Sequence, residues 1–146
     1  MTDTRMTQRH EEPTKKDIYE PVPPDTERLA SQVVDAAFKV HSALGPGLLE
    51  SVYETCLLHE LKGRNLKSQR QVALPIVYEG LRISSGLRLD LLIEERVVVE
   101  LKAVEKILPV FNAQLLTYLK LSGHRLGLLI NFNVPRIKDG IRRIIL

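Results

Sequence analysis

An α/β domain with a mixed sheet and flanking helices is the fold class this sequence predicts, and three patterns predict it. Apolar residues recur with a helical period from Leu29 to Leu44 and again from Leu49 to Leu61. Short β-branched runs then follow one another between Val72 and Val104. Beyond Pro109 a third helical pattern leads directly into the apolar run LGLLINF. The expected order is helix, helix, three strands, helix, strand and a short terminal element. A chain of 146 residues, 44% of them apolar, has material for one core and one domain.

Residues 1–25 carry four prolines and only scattered apolar side chains, too little surface to offset the entropy of ordering them. They are expected to form a flexible polar tail ahead of a domain at residues 26–146. Pro23-Pro24-Asp25 offers a helix start, with Asp25 or Thr26 as the capping side chain. The first helix presents Leu29, Val33, Val34, Ala37, Phe38, Val40, Ala43 and Leu44 and stops at Gly45-Pro46-Gly47. The second runs from about Leu49 to Lys62, its apolar face formed by Leu49, Val52, Tyr53, Cys56, Leu57 and Leu61, with Gly63 as the stop.

VALPIVY is β-branched but interrupted by Pro75, which suits an edge strand. Glu79-Gly80 is its turn. LRIS, GLRLDLLI and VVVELKAV follow, the last two separated by Glu94-Glu95, and read as three strands of an antiparallel meander. Pro109 suits the first turn of the third helix, packed through Phe111, Leu115, Leu116, Tyr118 and Leu119 and closed at Ser122-Gly123. IRRIIL, at the end, fits either an edge strand or a helical turn. No internal repeat is present.

The single cysteine, Cys56, forms no intrachain disulfide, and its place on an apolar helix face marks it as a small core residue. Neither a signal-peptide core nor an apolar stretch of about 20 residues occurs, so a soluble, cytoplasmic protein with no membrane partner is expected. The net charge is +3, and the first 25 residues hold four basic against six acidic side chains, so the body is more basic than the total. That charge permits an anionic partner without requiring one. His41, His59 and His124 lack metal-ligand spacing.

Within VVVELKAV, Val97, Val99, Leu101 and Ala103 share one strand face, and Val98, Glu100 and Lys102 share the other. In the strand before it, Arg88, Asp90 and Leu92 share a face. If Glu94-Glu95 joins the two as a hairpin, Asp90 approaches Glu100 and Lys102. Two readings remain open. One is a solvated outer face on which Lys102 bridges the carboxylates at little energetic consequence. The other is a hard-cation site, with two carboxylates converging on Mg²⁺ and Lys102 near an attacking water, suited to phosphate-ester hydrolysis.

Three stretches carry a family resemblance: GPGLLESVYE, with Gly47, Glu50 and Tyr53 at three-residue intervals; RLDLLIEERVVVELKAVEK; and AQLLTYLKLSG. In that order they resemble the GxxExxY proteins of the PD-(D/E)xK nuclease superfamily, over residues 27–146. The resemblance implies a metal-dependent nuclease site on the second and third core strands. Asp90 and Glu100 would bind Mg²⁺ or Mn²⁺, the Leu101 carbonyl would add a ligand, and Lys102 would serve the attacking water. Leu89 stands where the family pattern has proline. Glu50 matches the leading-helix glutamate that reaches the metal directly or through water; without the family it reads as an exposed first-turn glutamate favoured by the helix dipole.

Gln114 and Tyr118 match the Q-x-x-x-Y pattern of the exonuclease-like branch, and their i, i+4 spacing sets them on one helix face. Tyr118 as a core residue with Gln114 as a polar flank is the alternative. Arg88 and Tyr53 complete the substrate candidates, although Arg88 is equally suited to pairing with an acidic neighbour. The function expected is Mg²⁺-dependent cleavage of nucleic acid, DNA before RNA. Its alternatives are a catalytically silent nucleic-acid-binding or regulatory module on the same fold, or a structural domain in a larger assembly. A homodimer is compatible with a domain this small.

Overall fold

The computed structural model describes residues 20–146. The tail expected at residues 1–25 therefore lies, up to residue 19, outside the described residues. Residues 20–25 run onto the body: Val22 is buried in the core, and the Glu20 carbonyl accepts a hydrogen bond from Arg125. No helix among the described residues is long and apolar enough to cross a membrane.

Helix α1 (Pro24–Leu44) is followed by α2 (Glu50–Gly63), then by five strands, β1 (Ser68–Ala73), β2 (Ile76–Tyr78), β3 (Leu81–Ile83), β4 (Arg88–Ile93) and β5 (Val97–Lys102). Helix α3 (Pro109–Ser122), β6 (Leu126–Asn131), a 3₁₀ turn at Ile137–Gly140 and β7 (Ile141–Ile145) complete the chain. The main sheet has the order β1-β4-β5-β6-β7, antiparallel throughout except for the parallel pair β5–β6. It is the mixed α/β sheet that the sequence predicts, and the terminal run is an edge strand.

Each face of this sheet has its own core. Val97, Val99 and Leu101 of β5 pack with Leu91 and Ile93 of β4 under α1 and α2, which contribute Val33, Ala37, Tyr53, Leu57 and Leu61. On the opposite face Val98 and Leu129 meet Leu115, Tyr118 and Leu119 of α3. A parallel pair needs a crossover, and α3 is that crossover, laid across the face that carries Glu100. Gly127 lets it lie close, since a Cβ there would meet the Leu115 side chain at 2.9 Å. The outer face of β5 is therefore covered, not solvated as one reading of the spacing had it; Glu100 is only 6% exposed.

Three further expectations are corrected. Neither Asp25 nor Thr26 caps α1: the cap residue is Pro23, with no side-chain bond, while Asp25 pairs with Arg28 and Thr26 is buried. On α2, Leu49 and Val52 are exposed, because the face turned to the sheet is that of Tyr53, Leu57 and Leu61. VALPIVY is two strands in two sheets, for Leu74-Pro75 separates them and proline has no N–H to continue a ladder. As a result β3 pairs with β2 in a separate ribbon, and the antiparallel series is β1, β4, β5.

Candidate active site

Pairing of β4 with β5 runs through Ile93–Val97, Leu92–Val98 and Leu91–Val99, and the next residues along are Asp90 and Glu100. There the carboxylates take over the hydrogen bonding of the two strands. Asp90 N–H donates to Glu100 Oε1 at 3.1 Å, and Leu101 N–H donates to Asp90 Oδ2 at 2.9 Å. Each acid is thus fixed by a backbone donor of the other strand, and both are held near each other.

The electrostatic consequence falls on Glu100. Burial, and next the charge of Asp90, push its carboxyl up to about 8, against which the Asp90 N–H and Lys102 act in the opposite sense. Glu50, the first residue of α2, retains an exposed side, yet its carboxyl is raised by partial desolvation and by the charge of Asp90, with Lys102 opposing. From α3, the Tyr118 hydroxyl is raised by burial and then by the charges of Glu100 and Asp90. Asp90, Glu100, Lys102, Glu50 and Tyr118 therefore share one electrostatic neighbourhood built from two strands and two helices.

Lys102 makes no direct ion pair among the described residues: its Nζ stands 4.5 Å from the centroid of the Phe111 ring at the start of α3. Gln114 lies one helical turn before Tyr118 and is exposed. Arg88 donates to the Gln71 carbonyl at 3.2 Å. Gln71 falls opposite Asp90, between the pairs Arg70–Leu91 and Val72–Leu89, with a left-handed φ of 53° that is costly for a side chain of this type.

Tyr53 is not brought to the surface of the site. It is fully buried, stacked on Phe132 at 4.5 Å, and its hydroxyl donates to the Gly45 carbonyl at 2.6 Å while accepting from Leu48 N–H at 3.1 Å. These bonds clamp the loop that aims α2, and with it Glu50. Gly47 in that loop has a φ of 95°, a conformation open to glycine.

Sequence reading missed three residues that organise the site. Glu54, one turn after Glu50, is buried and meets Arg70 at 2.9 Å and the Gln71 amide at 3.4 Å. Asn131 is buried at the end of β6; its side chain accepts from Val104 N–H at 3.0 Å and donates to the Val104 carbonyl at 2.9 Å, tying down the chain just past Lys102. A polar residue in the apolar run LGLLINF was a legible signal of the kind used for Glu100. The conformation of Gln71 left none.

Aspartate, glutamate and carbonyl oxygens suit a hard divalent cation, and burial, with the charge of Asp90 second, raises the Glu100 carboxyl. Among the described residues, no group of three or more His, Cys, Asp or Glu is gathered closely enough to hold a metal. The two carboxylates that the fold brings together are Asp90 and Glu100, with Glu50 in their electrostatic reach.

The model of the PD-(D/E)XK nuclease superfamily matches residues 27–144. A solved structure, the crystal structure of SSO0001, is similar with a TM-score of 0.50 and 25% identity, over 84% of this chain and 62% of that one. The chain thus spans about three-fifths of the length of that relative. No curated protein matches it.

Proposed function

Because the chain belongs to the PD-(D/E)XK nuclease superfamily, we propose that it hydrolyses phosphodiester bonds of DNA, with RNA as the alternative substrate. The observation that carries this reading is the reciprocal pair at the end of the β4–β5 ladder, where two carboxylates are held together although one of them is buried and raised. Two carboxylates brought this close supply the oxygen donors that a hard divalent cation takes.

In this reading Asp90 and Glu100 hold Mg²⁺ or Mn²⁺, with the Leu101 carbonyl as a further donor and Glu50 at the edge, directly or through water. A cation held there would supply charge stabilisation for the phosphoryl oxygens and would acidify water. Lys102 orients the attacking water and shares its positive charge with the developing phosphorane; the Phe111 ring keeps its ammonium in place. Tyr118, its hydroxyl raised by burial and then by its acidic neighbours, is a hydrogen-bond donor towards phosphate. Gln114, one turn away on α3, and Arg88 contact the strand on either side. Tyr53 acts through Glu50, as a positioning residue.

Cleavage of a DNA substrate with Mg²⁺ or Mn²⁺ is expected from the wild type and lost in Asp90→Ala and Lys102→Ala. Equal activity in all three would sink the assignment. A second reading, a binding module without turnover, is favoured by one observation: the Lys102 ammonium lies on Phe111 rather than against either carboxylate. Salt-sensitive binding without cleavage is its signature.

A further inference from the structure

Asn65, Glu79, Glu94 and Glu95 take a positive φ in the turns between elements, where that conformation is ordinary, but Gln71 takes it inside strand β1. The ladder leaves room for this. In an antiparallel sheet a residue turns both of its backbone groups to the same neighbouring strand. Asp90 gives its N–H to Glu100 of β5, so Gln71, which faces Asp90 from β1, completes no ladder bond with it.

The turned backbone has two consequences. Successive side chains of an extended strand point to opposite faces, yet Arg70 and Gln71 reach one carboxylate, that of the buried Glu54: Arg70 at 2.9 Å and the Gln71 amide at 3.4 Å. The left-handed residue brings the two to the same side. Its carbonyl, meanwhile, accepts a hydrogen bond from the Arg88 guanidinium at 3.2 Å. Gln71 is thus held at its side chain by α2 and at its carbonyl by β4.

Arg88 is exposed and forms no ion pair among the described residues. It gives one N–H to a neutral carbonyl, keeps its other donors for a ligand, and shares a strand face with Asp90 about 7 Å further along β4. A guanidinium steadied in this way suits a phosphate oxygen. We propose that Gln71 is a positioning residue: its left-handed backbone, pinned by Glu54, aims Arg88 at a substrate phosphate beside the carboxylate pair. Strain of this kind is kept where a site requires it. The proposal rests on the nuclease reading and adds to it one phosphate contact, next to Asp90, that the conformation of β1 sets.

The test is fluorescence anisotropy with a labelled DNA duplex, without divalent ions and over a range of salt. Wild type is compared with Arg88→Ala, Gln71→Gly, Gln71→Ala, Gln71→Val, the double variant Gln71→Val with Arg88→Ala and, on a remote surface, Lys138→Ala, each with a thermal melt. Arg88→Ala should bind roughly five- to tenfold more weakly and lower the slope of log affinity against log salt by about 0.9. Gln71→Gly, which takes the left-handed conformation freely, should bind like wild type. Gln71→Val, which favours extended backbone, should bind as weakly as Arg88→Ala, the double variant no more weakly than either, and Gln71→Ala, a milder change that drops the tether to Glu54, in between. A merely structural Gln71 would move the melting temperature and leave affinity and slope alone. Wild-type affinity in Gln71→Val and Gln71→Ala, losses that add in the double variant, or no binding by the wild type overturn the proposal. Cleavage by the wild type with Mg²⁺ is scored separately: cleavage with binding indifferent to Gln71 removes the positioning role alone, whereas a wild type that neither binds nor cleaves removes both readings.

Discussion

Strands β4 and β5 are two regions in one pair. Over Leu91–Ile93 and Val97–Val99 they form an uninterrupted ladder, and their side chains fill the cores on both faces of the sheet. One residue further on, Asp90 and Glu100 replace that regularity with carboxylate-to-backbone bonds. The first region contributes stability through burial. The second spends some of it by keeping negative charge in a covered place. The hydrophobic half thereby acts as the clamp that forces two acids together, fixing in space groups that would otherwise repel each other apart.

Substitutions should separate the two halves. The largest effect is expected from Asp90→Asn, which retains an oxygen to accept the Leu101 N–H but loses a charge: cleavage should fall by roughly a thousandfold, with the melting temperature held or raised. Leu91→Ala, in the ladder, should do the reverse. It should cost about 2–5 kcal/mol of stability in a denaturant titration while the folded fraction still cleaves.

Glu100→Gln tests the charge balance through pH. The folded carboxyl is raised from its ordinary value of 4.5 to about 8, so its contribution to stability is fully present below the unfolded value and is lost as pH rises through the folded one. Without divalent ions, the wild type should therefore lose stability relative to Glu100→Gln between about pH 4.5 and 8, by a few kcal/mol in thermal melts. Parallel melting curves across that range would show that the acid is not held at a cost. The smallest effect is expected from Phe111→Ala, which removes the ring under Lys102 and should lower kcat roughly two- to fivefold with KM unchanged.

Fold class, helix ends near Gly45 and Ser122, and the identity of the acidic pair were all legible in the chain, because each leaves a local mark: a period, a breaker, or a charge inside an apolar run. What escaped was set by tertiary placement. Spacing alone left the Glu100 face open between solvent and site, since nothing local says that the crossover helix α3 lies on it. Leu49 and Val52 fit the helical period yet face outward, because Tyr53 and Phe132 decide how α2 is turned. Tyr53 was a substrate candidate from its motif spacing, and its hydroxyl is engaged by the loop before Glu50. The left-handed Gln71 opposite Asp90 has no signature in its own residue type.

What we propose is that Asp90 and Glu100 form a cation site in which Glu100, raised to about 8 chiefly by burial, holds a proton until the cation arrives. Calorimetric titration of the wild type with Mn²⁺ at pH 7, repeated in buffers of different ionisation enthalpy, measures this directly. Saturable binding with release of about one proton per ion, abolished in Glu100→Gln and Asp90→Asn, is the predicted result. No saturable heat, or binding that survives in Glu100→Gln with the same proton release, would contradict it.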